Sequence, residues 1–201
     1  MKVSRPISLT VLTMIVIFPE AAMAHLVTSG LGPFYDGALH LALSPADLLG
    51  LVAVTLLAGL SGRKAARWAV IVLPLAWFVG GIVGSVFPAA AELSWMSIIA
   101  FLIVGVLVAI DFTLPSMTVA SLAGAFGVLS GLQNGSALAA VGAGLSALAG
   151  VVVAVLITAL LISALVVSMR ADWPRIVLRV AGSWIAAVGM LMFGWMLKAA
   201  V

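Results

Sequence analysis

Four residues near the start of the chain have the types to do chemistry together: His25, Asp36, His40 and Asp47. Two imidazoles and two carboxylates offer the nitrogen and oxygen donors that hard or borderline divalent cations such as nickel and cobalt accept. The same groups could relay protons. In a continuous helix over 36–47, at 100° per residue, Asp36, His40 and Asp47 would fall within about 40° of one another on one face. Ser44-Pro45-Ala46-Asp47 argues for a different geometry. A serine before a proline, with an acidic residue shortly after, is a helix start. On that reading, which the sequence favours, Asp47 is a capping carboxylate and 33–43 forms a separate short helix or re-entrant segment. The site would then come from two segments folded together, not from one helical stripe.

The remaining polar residues have simpler readings. Asp111, beside Thr113 and Pro115, is expected to cap a helix in a cytoplasmic loop, and Glu92 to be a charge in a periplasmic loop. Ser130, Gln133 and Asn134 either complete a polar mouth with the His/Asp cluster or end a helix at an Asn-Gly turn. Met190, Met192 and Met196 are packing residues and not copper ligands, because 190 and 192 point to different helix faces. Cysteine is absent, which excludes disulfides, thiolate metal sites and dithiol redox chemistry.

The elements that must position these groups are membrane helices. Of 201 residues, 65% are hydrophobic and 7% charged, with a mean hydropathy of +1.38. A soluble domain carries roughly 25% charged residues. So apolar a chain faces lipid and must close its backbone hydrogen bonds within helices or a barrel. Long Leu/Ala/Val/Gly runs without strict alternation select helices. Residues 1–24 read as a secretory signal, with Lys2 and Arg5 ahead of an apolar stretch over 7–18 and a cleavage site at Ala22-Met23-Ala24. Cleavage would make His25 the N-terminus, where an α-amine and an imidazole can chelate one metal together.

The mature part, 25–201, is expected to be a single all-α bundle of about six transmembrane helices. The first ends near Leu60; the others cover 68–87, 93–110, 115–132, a stretch within 137–169, and 174–197. The fourth is expected to stop at Gln133-Asn134-Gly135. The segment 137–169 is longer than the ~20 residues a bilayer requires, so it holds either one tilted helix or two short ones. Charge separates these. Arg63, Lys64 and Arg67 form one basic cluster and Arg170, Arg175 and Arg179 another, and basic loops stay in the cytoplasm. One helix over 137–169 puts both clusters on the same side, and two would separate them. The expectation is one long helix, both termini outside, and residence in the inner membrane of a bacterium. The basic residues then set topology and do not form a nucleic-acid surface. Gly80 and Gly84, then Gly127, Gly131 and Gly135, then Gly142, Ser146 and Gly150 recur at the spacing that lets helices approach closely. They mark a compact bundle, or alternatively the interface of a homo-oligomer.

The segment Gly32-Pro33-Phe34-Tyr35-Asp36-Gly37-Ala38-Leu39-His40, followed by Ser44-Pro45-Ala46-Asp47-Leu48-Leu49 and preceded by a processed start at His25, resembles the HupE/UreJ family. The six-span layout after a signal peptide is similar too. The resemblance implies a nickel or cobalt permease associated with hydrogenase and urease maturation, with His25, Asp36, His40 and Asp47 as its metal-handling residues. Better-known members carry Asp-His where this chain has Asp47-Leu48. They also carry histidine-glycine motifs where it has Ser130-Gly131 and Asn134-Gly135. The expected function is transport of a divalent ion, captured by His25, Asp36 and His40 and passed inward past Asp47. The ion is substrate, and no permanently bound cofactor is expected. Without a nucleotide-binding motif, the membrane potential or a proton gradient would drive it. The alternatives are a non-transporting membrane protein that binds a metal or protein partner at its periplasmic face, and an intramembrane metalloenzyme. No His-Glu-x-x-His or serine-nucleophile motif favours the last, and the chain is expected not to be an enzyme.

Overall fold

The computed structural model describes residues 29–87, 94–169 and 173–199. Segment 1–24, expected to be a secretory signal, lies outside these, as do His25, Glu92 and Arg170. Among the described residues there are seven helices: α1 Pro33–Leu43, α2 Pro45–Leu60, α3 Arg63–Val86, α4 Ser94–Ala109, α5 Ser116–Ala140, α6 Gly144–Ser168 and α7 Trp173–Ala199.

The break expected at Ser44 is there. Proline occupies the first turn of both α1 and α2, where its missing N–H costs nothing. Ser44 between them is extended, and the two helices bend by 76°. A single stripe through Asp36, His40 and Asp47 is thereby ruled out. Ser44 sits at the cap position but makes no side-chain cap bond, and the Asp47 carboxylate is engaged elsewhere.

One boundary needs correction. The fourth span does not stop at Gln133-Asn134-Gly135: α5 runs on to Ala140. Its true stop is Gly142, whose φ of +68° lets the chain close with Gly142 N–H on the Ala139 carbonyl and Ala143 N–H on the Leu138 carbonyl, a Schellman ending. Gly135 is a packing residue instead. A Cβ there would run into the Gly81 carbonyl of α3. The segment 144–168 is one helix, as the charge argument required. Asp111 ends α4 rather than starting α5: it takes the left-handed conformation, φ +55°, with Phe112 N–H closing on the Leu107 carbonyl.

Among the described residues four helices (α3, α5, α6 and α7) are long and apolar enough to cross a membrane, and the bent α1–α2 pair makes a fifth span if counted as one; α4 is a shorter apolar helix. The outward faces carry Leu75, Ile103, Leu161, Ile176, Trp184 and Leu191, all well exposed, as lipid-facing helices require. The protein is a multi-pass membrane protein.

Helix α2 is the central post and touches every other described helix; Leu51, Ala53, Thr55 and Ala58 on it are fully buried. Around it α3 pairs with α5, α4 with α7, and α1 with α6. Glycines make all three of these pairings close, with Gly105 and Gly182 meeting between α4 and α7. Gly80 and Gly84 lie over the backbone of Val128 and Leu132, while Gly127, Gly131 and Gly135 lie over the backbone of Leu73, Trp77 and Gly81. Gly37 and Gly150 do the same for α1 on α6, against Ala147 and Phe34. In lipid such contact is the main cohesive force. These glycine faces are therefore used within one chain, and Gly142 and Ser146 belong to a helix end and an exposed position. A homo-oligomer would have to use other surfaces.

The loops meet at one end of the bundle. Leu114 N–H donates to Ser61 Oγ at 3.1 Å, Arg175 Nε lies 3.2 Å from Asp111 Oδ2, and Arg179 Nε donates to the Ala109 carbonyl at 3.1 Å. The α2–α3 turn, the α4–α5 loop and the start of α7 are thus neighbours, so Arg63, Lys64 and Arg67 share an end with Arg175 and Arg179.

Candidate functional site

At the other end of the central post stands Asp47. At about 1.5 Å per residue it is about 21 Å along α2 from Ser61. Its Oδ2 accepts a hydrogen bond of 2.8 Å from Asn134 Nδ2, and the same amide donates to the Ser130 carbonyl at 2.9 Å. The Ser130 hydroxyl stands beside the same carboxylate without completing a well-formed hydrogen bond.

Local sequence explains why these groups meet. Phe126, Ser130 and Asn134 recur every four residues, so they form one stripe on α5. On α2, Asp47 and Gly50 are three apart and share a face. Gly50 has no side chain, and a Cβ there would strike the Phe126 ring. That gap lets α5 come close enough for Asn134 to reach the carboxylate. Trp77 of α3 closes the cluster, edge-on to Phe126 with ring centroids 5.9 Å apart.

This polar centre does not satisfy itself. Trp77 Nε1, Ser130 Oγ and Asn134 Oδ1 are buried and have no hydrogen-bond partner among the described residues. A buried polar atom left unpaired costs about 1–3 kcal/mol, so two helices glued by hydrogen bonds alone would not be built this way. Beside it, Gln133 Nε2 donates to Ser97 Oγ at 2.6 Å and ties α5 to α4.

The other expected ligands are placed differently. Asp36 is buried, and its Oδ1 accepts both the backbone N–H and the hydroxyl of Ser29, each at 2.6 Å. It clasps the segment that leads into α1. His40 lies on α1, half-buried, one turn beyond the Gly37 that seats this helix on α6. His25 is outside the described residues. Among the described residues no three His, Cys, Asp or Glu side chains gather in a metal-binding group, so Asp36, His40 and Asp47 do not form a ready three-ligand site. The structure brings Asp47 together with Asn134 and Ser130 instead. Of the two readings open for Ser130 and Asn134, the helix end is ruled out: α5 continues through both, and Asn134 meets Asp47 from a buried position. The Ser29 clasp, the Trp77 side and the gap at Gly50 have no local signature. The spacing of Gly127, Gly131 and Gly135 was a usable signal that α5 continues through Asn134.

Similarity to known proteins agrees with this architecture. Residues 12–192 match the family model described as HupE / UreJ protein. No match is found among curated proteins or among solved structures. The match takes in all of α1 to α6 and most of α7, including Asp36, His40, Asp47, Ser130 and Asn134: the chain belongs to the HupE/UreJ family.

Proposed function

We propose that this protein is a permease for a divalent transition-metal ion, nickel or cobalt, and that Asp47 is the residue the ion must pass. The carrying observation is the Asp47 carboxylate, bonded to Asn134 among oxygen atoms that lack partners. A carboxylate costs about 2.5–3.5 kcal/mol at the centre of a lipid span and less toward its end, where Asp47 stands. An interhelical hydrogen bond in a membrane contributes about 0.6 kcal/mol on average. Clasping α2 to α5 needs no charge, since a second amide would do the same at lower cost. The charge answers to another use, and a cation is the partner its chemistry selects.

On this reading the Asp47 carboxylate, Ser130 Oγ and Asn134 Oδ1 replace water around the ion as it sheds its hydration shell. His40 and the terminal amine and imidazole of a processed His25 supply the nitrogen donors that nickel and cobalt favour. Asp36, held by Ser29, contributes negative charge at the approach. The basic end of the bundle faces the cytoplasm, α4 completes six spans, and both termini are outside in the inner membrane of a bacterium. The ion enters at the Asp47 end and moves inward under the membrane potential or a proton gradient. The protein catalyses no covalent reaction.

Purified protein in proteoliposomes, offered nickel, cobalt, copper and zinc in turn, tests this. Saturable uptake of nickel or cobalt, reduced at least tenfold in Asp47→Asn, is expected. Binding of the ion without uptake would instead establish a non-transporting metal-binding membrane protein, and neither binding nor uptake of any of the four would end the metal reading.

A further inference from the structure

At the basic end, a groove of about 500 Å³ opens between the start of α3 and the end of α6. Its α3 wall is Arg63, Arg67 and Val70, and its α6 wall is Leu160, Ser163 and Val167. Both sets recur at three- and four-residue intervals, so each is one helix face. Arg63 and Arg67 are exposed and have no acidic partner among the described residues, unlike Arg175, which is paired with Asp111. Ser163 is 2% exposed, and its hydroxyl has no hydrogen-bond partner among the described residues. The groove thus combines two free guanidinium groups at its rim, apolar walls below them, and one unpaired donor in its floor.

We propose that this groove binds an anionic phospholipid of the surrounding bilayer, as a site separate from the ion path at Asp47. The two arginines, one turn apart, meet a phosphate with the fork geometry that guanidinium offers. The walls of Val70, Leu160 and Val167 take the first part of an acyl chain. An ester carbonyl is the kind of acceptor the Ser163 hydroxyl lacks. The volume falls within the roughly 300–1,000 Å³ of ordinary ligand sites, and basic pockets between membrane helices are where anionic headgroups settle. A free inorganic anion would use the arginines and leave the walls empty. A zwitterionic lipid would bring a second positive charge against them.

Native mass spectrometry of the full chain in detergent, with phosphatidylglycerol and phosphatidylcholine added in equal amounts, gives the test. The wild type is expected to retain phosphatidylglycerol selectively. Each basic residue near an anionic headgroup is worth about fivefold, the equivalent of about 1 kcal/mol, so Arg63→Gln/Arg67→Gln should lower retention by roughly 25-fold. Ala164→Trp, which fills the groove from an exposed position on α6 and keeps both charges, should lower it as well. A melting temperature near that of the wild type shows that each variant is folded. Equal retention of the two lipids, wild-type retention in the double variant, or displacement of the lipid by millimolar inorganic phosphate would each overturn the proposal.

Discussion

Asp47 and Asn134 are 87 positions apart and joined by one hydrogen bond. A structural clasp and an ion-handling pair predict opposite patterns when this bond is altered. Asp47→Asn keeps the size and an acceptor and removes the charge. A clasp would lose on the order of 0.6 kcal/mol and keep its function. An ion site would lose uptake at least tenfold with a nearly unchanged melting temperature, and this second pattern is the expected one. Asn134→Leu, which leaves the carboxylate without its amide, should lower both stability and uptake. His40 is a weaker test alone, because it lies on α1 and not beside the Asn134 pair. If His40 and Asp47 serve one path, however, His40→Ala with Asp47→Asn should be little worse than either single change, since groups acting as a unit are not additive. Calorimetric titration of nickel and cobalt into the three variants reads this directly, and wild-type affinity in both single variants would remove the metal site. The sequence singled out Asp47 by its type, and the structure gives it Asn134 of α5 as its hydrogen-bond partner. Its local context, Ser-Pro-Ala-Asp, is that of a helix start, and the helix does start there. A side chain that turns away to meet a distant amide leaves no trace in that pattern.

Between elements, the α3–α5 contact rests on the most glycines packed against backbone. Backbone faces backbone along Gly80, Gly84, Gly131 and Gly135, so an added side chain meets atoms that cannot rotate aside. Gly135→Val should therefore cost about 1–3 kcal/mol or more and appear as a large drop in the detergent melting temperature. Gly124→Ala, on the same helix, meets only a Val72 methyl at 3.3 Å and should melt close to the wild type. Equal effects from the two would mean that α3 and α5 do not pack on these faces. Gly50→Leu is the informative intermediate: it displaces the Phe126 ring and should separate Asp47 from Asn134, lowering uptake more than it lowers stability. The helical periodicity of these glycines was legible in the sequence. Which helix each stripe faces was not, because small-residue spacing is the same for an internal pair and for a dimer.

For the whole molecule, the contacts of Ser61 with Leu114 and of Arg175 with Asp111 gather the loops and both basic regions at one end. If that end is cytoplasmic, reporter fusions after Lys64 and after Asp172 should read cytoplasmic and one after Gly142 periplasmic. A cytoplasmic signal after Gly142 would overturn the six-span arrangement. Removal of the leader is checked separately. N-terminal sequencing of the purified protein should begin at His25, and a retained Met1 would exclude a terminal amine-plus-imidazole chelate.

The all-helical, lipid-facing architecture was determined by composition alone. With so few charged residues the chain has no water-compatible surface, and lipid leaves the backbone no alternative to internal hydrogen bonding. The break at Ser44 and the single helix after Gly144 were equally legible, because proline chemistry and loop charge act locally. Only the tertiary structure decided the rest. Gln133-Asn134-Gly135 carries the same letters whether it ends a helix or packs against another, and what selects packing is the Gly81 backbone lying across from Gly135. Asp36, His40 and Asp47 were candidates for one site by type and spacing. The 76° bend at Ser44 separates the helix bearing the first two from that bearing the third, Ser29 occupies Asp36, and the gap at Gly50 delivers Asn134 to Asp47. Each of these depends on a partner that is close in space and distant along the chain, where no local pattern can register it.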